Sequence, residues 1–338
     1  MRLKIARIIQ WWLLLSLGVF LACSFSCTKT STGVKRFSIA VVPKGTTHEF
    51  WKAIHAGAVK AEQELSTADL QVSITWKGPL REDDREQQIQ VVEGFLSQGV
   101  NGVVLAPLDS RALVRPVEEA AAAGIPTVII DSALDSSKIV SFVATDNLKG
   151  GELAADRMAE LLHGKGKVLL LRYQEGSAST TDREQGFLAK MKSAYPEVEV
   201  ISSDQYAGPT RDTAKQASEN LLNRFGNDIQ GVFCVNESST AGMLLALQDI
   251  GKAGKIAFLG FDATQQFVDA MRNKQLNGVV VQNPFNMCYL GVKTMVEHLQ
   301  GKPVEQRVDT GVTMITPENL DDPASQTLLH PPVDQYLK

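Results

Sequence analysis

From Phe37 onward the hydrophobic pattern switches repeatedly between two periods. The run Ile39-Ala40-Val41-Val42 is short and continuous, as a strand buried on both faces is. After it, Phe50, Trp51, Ile54, Ala58, Ala61 and Leu65 recur in three- and four-residue steps and so lie on one helical face. Val72 and Ile74 alternate with polar neighbours as a strand, and Ile89, Val92 and Leu96 make a second helix ending at Gly99. Val103–Leu105 is the next strand. Leu113, Val117, Ala120 and Ala121 form a third helix, which Gly124 and Pro126 close before the strand Thr127–Ile130. Beyond the stretch Ser141–Gly151 the order begins again: strands at Val168–Leu171, Val198–Ile201, Val232–Val235 and Ile256–Phe261 alternate with helices over Phe187–Met191, Ala214–Leu222 and Gly242–Leu247.

Alternating strands and helices with near-continuous apolar strands predict an α/β fold of two Rossmann-like lobes, each a doubly wound parallel sheet. The order of elements repeats while the residues do not, so these are two similar lobes and not a solenoid. Ligands of open α/β sheets bind beyond the carboxyl ends of the strands. Polar residues stand there in Asp131 after Ile130, Asn236 after Val235, Asp262 after Phe261 and Gln282 after Val281. Each has a structural alternative: an Asp after a strand can cap the next helix, and Asn236 can simply end its strand.

Composition narrows the function. The chain has 338 residues, 44% apolar and 21% charged, enough for about two ordinary domains. Its 34 basic and 38 acidic residues include no dense basic run, which excludes a nucleic-acid footprint, and four Cys exclude a disulfide scaffold. The first residues differ from the rest. Arg2, Lys4 and Arg7 precede an apolar run from Trp11 to Ala22 that is short for a membrane span, the pattern of a signal peptide over residues 1–22. Leu21-Ala22-Cys23 resembles the lipobox of bacterial lipoproteins, which implies lipidation at Cys23; Cys27 fits that pattern less well, and a plain signal peptide or uncleaved anchor is the alternative. Residues 23–36 then read as a flexible tether. Removing residues 1–22 takes away Arg2, Lys4 and Arg7 and no acid, leaving 31 basic against 38 acidic residues, or −7. The expected location is the periplasm or cell envelope, with lipid as the only membrane contact.

Other signals carry little chemistry. His48-Glu49 with His55 lacks the spacing of a zinc-protease helix, since Lys52 holds the required position, and no metal site or cofactor is predicted. Gly164-Lys165-Gly166-Lys167 precedes a strand instead of following one, and is a turn. Cys234 and Cys288 sit in apolar surroundings as inert thiols, and Glu82-Asp83-Asp84-Arg85-Glu86 is a solvated helix start.

A set of ordered motifs is more specific: Glu49-Phe50-Trp51, Val104-Leu105-Ala106-Pro107-Leu108-Asp109, Gly124-Ile125-Pro126 leading to Asp131, Ala144-Thr145-Asp146-Asn147 with Gly150-Gly151, Arg183 with Gly186-Phe187, Asn236-Glu237, Gly260-Phe261-Asp262, and Gln282. In these the chain resembles, from about Phe37 to Asn319, the ribose-binding type of periplasmic sugar-binding protein, whose core also serves lactose-repressor-like regulators. The resemblance implies a ligand cleft between lobes joined by a hinge of three crossings, near Thr145, Asn283 and Val312. The N-terminal lobe is then 37–144 plus 284–312, and the C-terminal lobe 145–283 plus 313–330. It implies a neutral sugar or polyol as ligand, ABC permease subunits as partners, no catalysis and a monomer. A chemoreceptor or histidine-kinase input is the alternative role. Implied ligand-binding residues are His48, Phe50, Trp51, Asp131, Ser132, Thr181, Arg183, Asn236, Asp262 and Gln282. Tyr206 is a further stacking candidate, and Thr46, Thr47, Ser177 and Thr180 add hydroxyls nearby. Ser132 and Thr181 stand where the ribose binder has Arg, which counts against ribose itself. No cluster of basic residues is evident around these positions, which favours a neutral over a phosphorylated ligand.

Overall fold

The computed structural model describes residues 33–337; the expected signal peptide, Cys23, Cys27 and most of the expected tether lie outside them. Strands β1 (Lys35–Val42), β2 (Leu70–Trp76), β3 (Gly102–Leu105), β4 (Thr127–Ile130), β5 (Ser141–Ala144) and β11 (Arg307–Asp309) pair in the order β2-β1-β3-β4-β5-β11. A second sheet repeats that order with β6 (Gly166–Leu171), β7 (Val198–Ser202), β8 (Gly231–Cys234), β9 (Ala257–Phe261), β10 (Gly278–Val281) and β12 (Thr313–Ile315), as β7-β6-β8-β9-β10-β12. Pairing is parallel from β1 through β3, β4 and β5 to β11, and from β7 through to β10; β12 lies antiparallel on β10.

The continuous apolar runs are continuous because both faces of each sheet are covered. In β1, Ile39 and Val41 enter one core cluster and Ala40 and Val42 another on the opposite face. Helix α1 (Glu49–Leu65) covers the first face; α2 (Arg85–Gln98) and α3 (Val114–Ala122) cover the second. On the second sheet, α4 (Asn147–Leu161) and α5 (Ala178–Ala194) cover one face, and α6 (Arg211–Phe225), α7 (Glu237–Asp249) and α8 (Gln265–Arg272) the other. Helix α9 (Pro284–Leu299) follows β10 of the second sheet yet packs on α1, β3, β4 and β5 of the first.

Before β6, two elements escape the hydrophobic pattern. Strand β5 is four residues long, and α4 buries Gly150, Gly151, Ala154 and Ala155, whose small side chains give little periodic signal. Small residues are required there: a Cβ on Gly151 would stand 2.0 Å from the Arg183 carbonyl oxygen of α5, and one on Gly57 of α1 2.0 Å from the Phe285 oxygen of α9.

The chain moves between sheets after β5, after β10 and after β11. A further passage closes it. Helix α10 (Pro323–Leu329) places Leu329 in the core of the second lobe, Pro331-Pro332 follow, and α11 (Val333–Tyr336) packs on α1, with the Tyr336 ring 5.5 Å from Phe285. Residues beyond 330 lack an apolar period, so nothing in the pattern marked this return.

Replacing Gly151 by Ala should therefore lower stability by about 1–3 kcal/mol through overpacking, read as a lower urea midpoint at unchanged slope. Gly94→Ala is the control, since nothing lies within 4 Å of a Cβ there; it should be neutral or stabilising by up to about 1 kcal/mol.

Candidate ligand site between the lobes

Asp131 and Asp262 end β4 and β9, the fourth strand of each sheet, and both hold positive φ, 64° and 70°. That region is sparsely populated by residues other than Gly, though Asp and Asn tolerate it best. The strained turn is thus repeated in both lobes at the place where open sheets bind ligands. Both carboxylates are buried and face one cavity.

Each buried charge there has a partner. The Lys44 ammonium, just past β1, lies 2.7 Å from Asp131 Oδ2 with both side chains 4% exposed. It also donates to Ser179 Oγ at 3.1 Å and Ser177 Oγ at 3.5 Å on the other lobe. Asp131 Oδ2 meets this ammonium as an ion pair and accepts no regular hydrogen bond among the described residues. Glu82 accepts from Trp51 Nε1 at 2.8 Å and from the Tyr173 hydroxyl of the second lobe at 2.7 Å, with His48 Nδ1 2.5 Å away. Burial opposes charge on both members of that pair, but attraction and hydrogen bonding win: His48 is raised to about 9 and Glu82 lowered to about 2.

In the second lobe the Arg183 guanidinium stacks 3.7 Å from the Phe261 ring centroid. It donates to Asn147 Oδ1 and to the Val235 carbonyl, each at 2.9 Å, and burial pulls its pKa below the usual arginine value. Asp262 accepts from the Glu237 amide at 2.9 Å and from Gln282 Nε2 at 2.7 Å. Burial raises it to about 6, against the opposing field of Arg183. Phe50 meets Trp51 edge-on, ring centroids 4.9 Å apart at 89°, and its amide donates to Glu237 Oε2 across the seam.

Of the sequence-derived candidates, His48, Phe50, Trp51, Asp131, Arg183, Asn236, Asp262 and Gln282 line this cavity, as does Thr180 of the nearby hydroxyls. Asn236 also has the structural role, since its Oδ1 accepts from the Ser239 amide and caps α7. Ser132 and Thr181 are not in its lining. The Ser132 hydroxyl accepts from the Ser179 amide across the seam, and the Thr181 hydroxyl is turned back onto the Ser177 carbonyl within α5. Tyr206 is 40% exposed under the Arg172 guanidinium and away from the cavity. Lys44, Glu82, Tyr173, Ser179 and Glu237 were missed as site residues. Glu82 is a correction: it is buried and not part of a solvated helix start, although Asp84 does cap α2. Its burial depends on Tyr173, 91 residues along the chain. The absence of basic residues also needs correction, since Lys44, His48 and Arg183 all reach the cavity; they stand against Glu82, Asp131, Glu237 and Asp262.

Such a lining suits a polyhydroxylated ring. Carboxylates accept from hydroxyls, Lys44 and Arg183 donate to them, Gln282 does both, and Phe50 with Trp51 offers an aromatic surface for a ring's C–H face. Among the described residues no group of three or more His, Cys, Asp or Glu could hold a metal ion.

The His48–Glu82 pair sets a pH window. His48, raised from 6.5 to about 9, contributes fully below 6.5 and loses its contribution as pH climbs toward 9; Glu82, lowered from 4.5 to about 2, contributes fully above 4.5 and loses it toward 2. The melting temperature of His48→Gln should lack the decline that the parent shows between 6.5 and about 9. An identical alkaline limb in the variant would assign that decline to another group.

Residues 39–303 match the model of the periplasmic binding protein domain. The ribose import binding protein of Bacillus subtilis (strain 168) is 30% identical over 311 residues, 90% of this chain and 97% of that protein. A carbohydrate transporter solute-binding protein from Agrobacterium radiobacter, solved with D-arabinose, superposes with a TM-score of 0.83 at 31% identity, covering 88% of this chain and 100% of that one. An ABC transporter solute-binding protein from Agrobacterium vitis with bound D-fucose gives 0.82 at 33% identity, covering 87% and 100%. With its two α/β lobes and the polar seam between them, the chain belongs to the periplasmic binding protein family, as a sugar-binding protein of the ribose-binding type.

Proposed function

We propose that the protein is the solute-binding component of an ABC importer, which holds a neutral monosaccharide or polyol between its lobes and presents it to a membrane permease. The observation that carries this reading is the facing pair of strained aspartates, one per lobe, on one cavity floored by aromatic rings. Ligand charge follows from the pairing. Lys44 and His48 already face carboxylates, and Arg183 is held by Asn147, the Val235 carbonyl and the Phe261 ring in the field of Asp262, which supports a neutral ligand over a phosphate or an acid. Binding needs no turnover, and the sugar leaves unchanged.

Closure is the mechanical step. Several bonds already cross the seam, from Tyr173 to Glu82, from Ser179 to Ser132 and from Arg85 to the Glu175 carbonyl. A sugar adds contacts to Asp131 and Asp262 together only when the lobes meet, and that differential affinity shifts the equilibrium toward the closed form. The three passages after β5, β10 and β11 serve as the hinge. Export on a lipid tether at Cys23 and a monomeric state complete the proposal, as expected of a carrier that visits its permease from the outer face of the membrane.

A thermal-shift screen of D-ribose, D-arabinose, D-fucose, D-allose, xylitol and myo-inositol should find a stabilising ligand. Asp262→Asn should weaken that ligand by about tenfold or more, the worth of a hydrogen bond to a charged group, at little cost to the fold, because Asn accepts the φ of 70° that would strain Ala. Affinity of the parent should fall below pH 6 as Asp262 takes up its proton. A variant that binds like the parent would show the site to be misplaced.

A further inference from the structure

Beside the inner cavity lies a larger one of about 660 Å³. Its walls are the first turn of α1, the loop from β9 into α8, the junction of β10 and α9, and the C-terminal segment from Leu328 to Asp334. Phe50, Asp262 and Gln282 line both cavities, so the two adjoin through the sugar-binding groups themselves. The C-terminal wall is held at both ends, by Leu329 in the core of the second lobe and by α11 on α1, with Pro331-Pro332 bridging the gap. It lies beyond residues 39–303, which match the family model.

The chamber's surface is chemically specific. Thr264, Gln265 and Gln266 bring a hydroxyl and two amides, while Leu328, Pro331 and Pro284 bring apolar faces. A sugar ring or a comparable ring needs both, hydrogen bonds at its edge and contact on its C–H face. Of the nearby cations, Lys52 is paired with Glu49 at 2.8 Å and Arg211 with Glu237 at 2.9 Å, so neither lysine nor arginine of the chamber is left to meet an acidic group. At the boundary, Gln282 is 2% exposed; its Nε2 is engaged by Asp262, while its Oε1 has no partner among the described residues. A buried amide oxygen left without a donor costs free energy, and a ligand hydroxyl passing from one cavity to the other would supply that donor.

We propose that the chamber is a second subsite and that the protein accepts a neutral glycoside, with one sugar ring in the inner cavity and a second ring beyond Gln282. This rests on the sugar-binding reading above and extends it to the class of sugar carried. The C-terminal wall then contributes directly to selectivity by closing the chamber around the second ring.

Isothermal titration of the full-length chain with D-ribose, D-arabinose, D-fucose and D-allose, and with the phenyl α- and β-glycosides of each, tests the proposal. At least one phenyl glycoside should bind within about tenfold of its parent sugar or more tightly. Gln266→Trp, which fills the chamber from its wall, should weaken that glycoside by about tenfold or more and leave the free sugar unchanged. Gln265→Trp repeats the test from the neighbouring position, and free-sugar binding confirms that each variant is folded. Free sugars that bind while every glycoside is rejected, or a glycoside indifferent to both tryptophans, would overturn the subsite. If neither sugars nor glycosides bind, the sugar-binding reading itself fails and the subsite with it.

Discussion

A charged side chain taken out of water must find a partner or give up its charge, and the seam between the lobes is built around that requirement. Lys44 meets Asp131, His48 meets Glu82, and Arg183 lies in the field of Asp262 and on the ring of Phe261. Several of these groups also reach across, with Tyr173 donating to Glu82 and Lys44 to Ser177 and Ser179. Opening the lobes would break these bonds and let water in; closing them on a ligand must satisfy every group again. A neutral polyhydroxylated ring can do so without adding charge, because each hydroxyl both donates and accepts. An ionic ligand would add an unbalanced charge to this buried set.

The fold brings these groups together through strand direction. Both sheets run in the same order, and their parallel strands aim their carboxyl ends at the seam, so residues far apart in the chain converge there. Close helix packing at Gly57 and Gly151 fixes the helices that frame the site: α1 carries Phe50 and Trp51, and α5 carries Arg183. Loss of either glycine would move a side chain that lines the cavity as well as cost stability. The C-terminal return to α1 adds a second wall, and with it a chamber continuous with the aspartate site.

Much of this was legible in the chain. Continuous apolar runs marked the central strands, and the polar residue after each of β4, β9 and β10 marked the cavity between the lobes, because both signals are local. Other groups of the cavity were not legible. Lys44 sits in an ordinary-looking loop and enters the seam only because β1 and β4 lie in one sheet and α5 closes over them. Glu82 is similar: its sequence neighbours are acids and an arginine, so local pattern placed it in water, whereas its partners are Trp51, His48 and Tyr173. Helix α4 was hidden for the opposite reason, since the small residues that let it approach α5 carry almost no hydrophobic signal. Long-range pairing and close approach are thus the features that a one-dimensional pattern understates.

The central claim is that one neutral ligand is held by an aspartate from each lobe. A crystal structure of the chain with the most stabilising neutral sugar measures this directly. The account predicts ring hydroxyls within about 3 Å of both the Asp131 and Asp262 carboxylates, with the ring against Phe50 or Trp51. A sugar that touches only one lobe, or lies away from both aspartates, would contradict it.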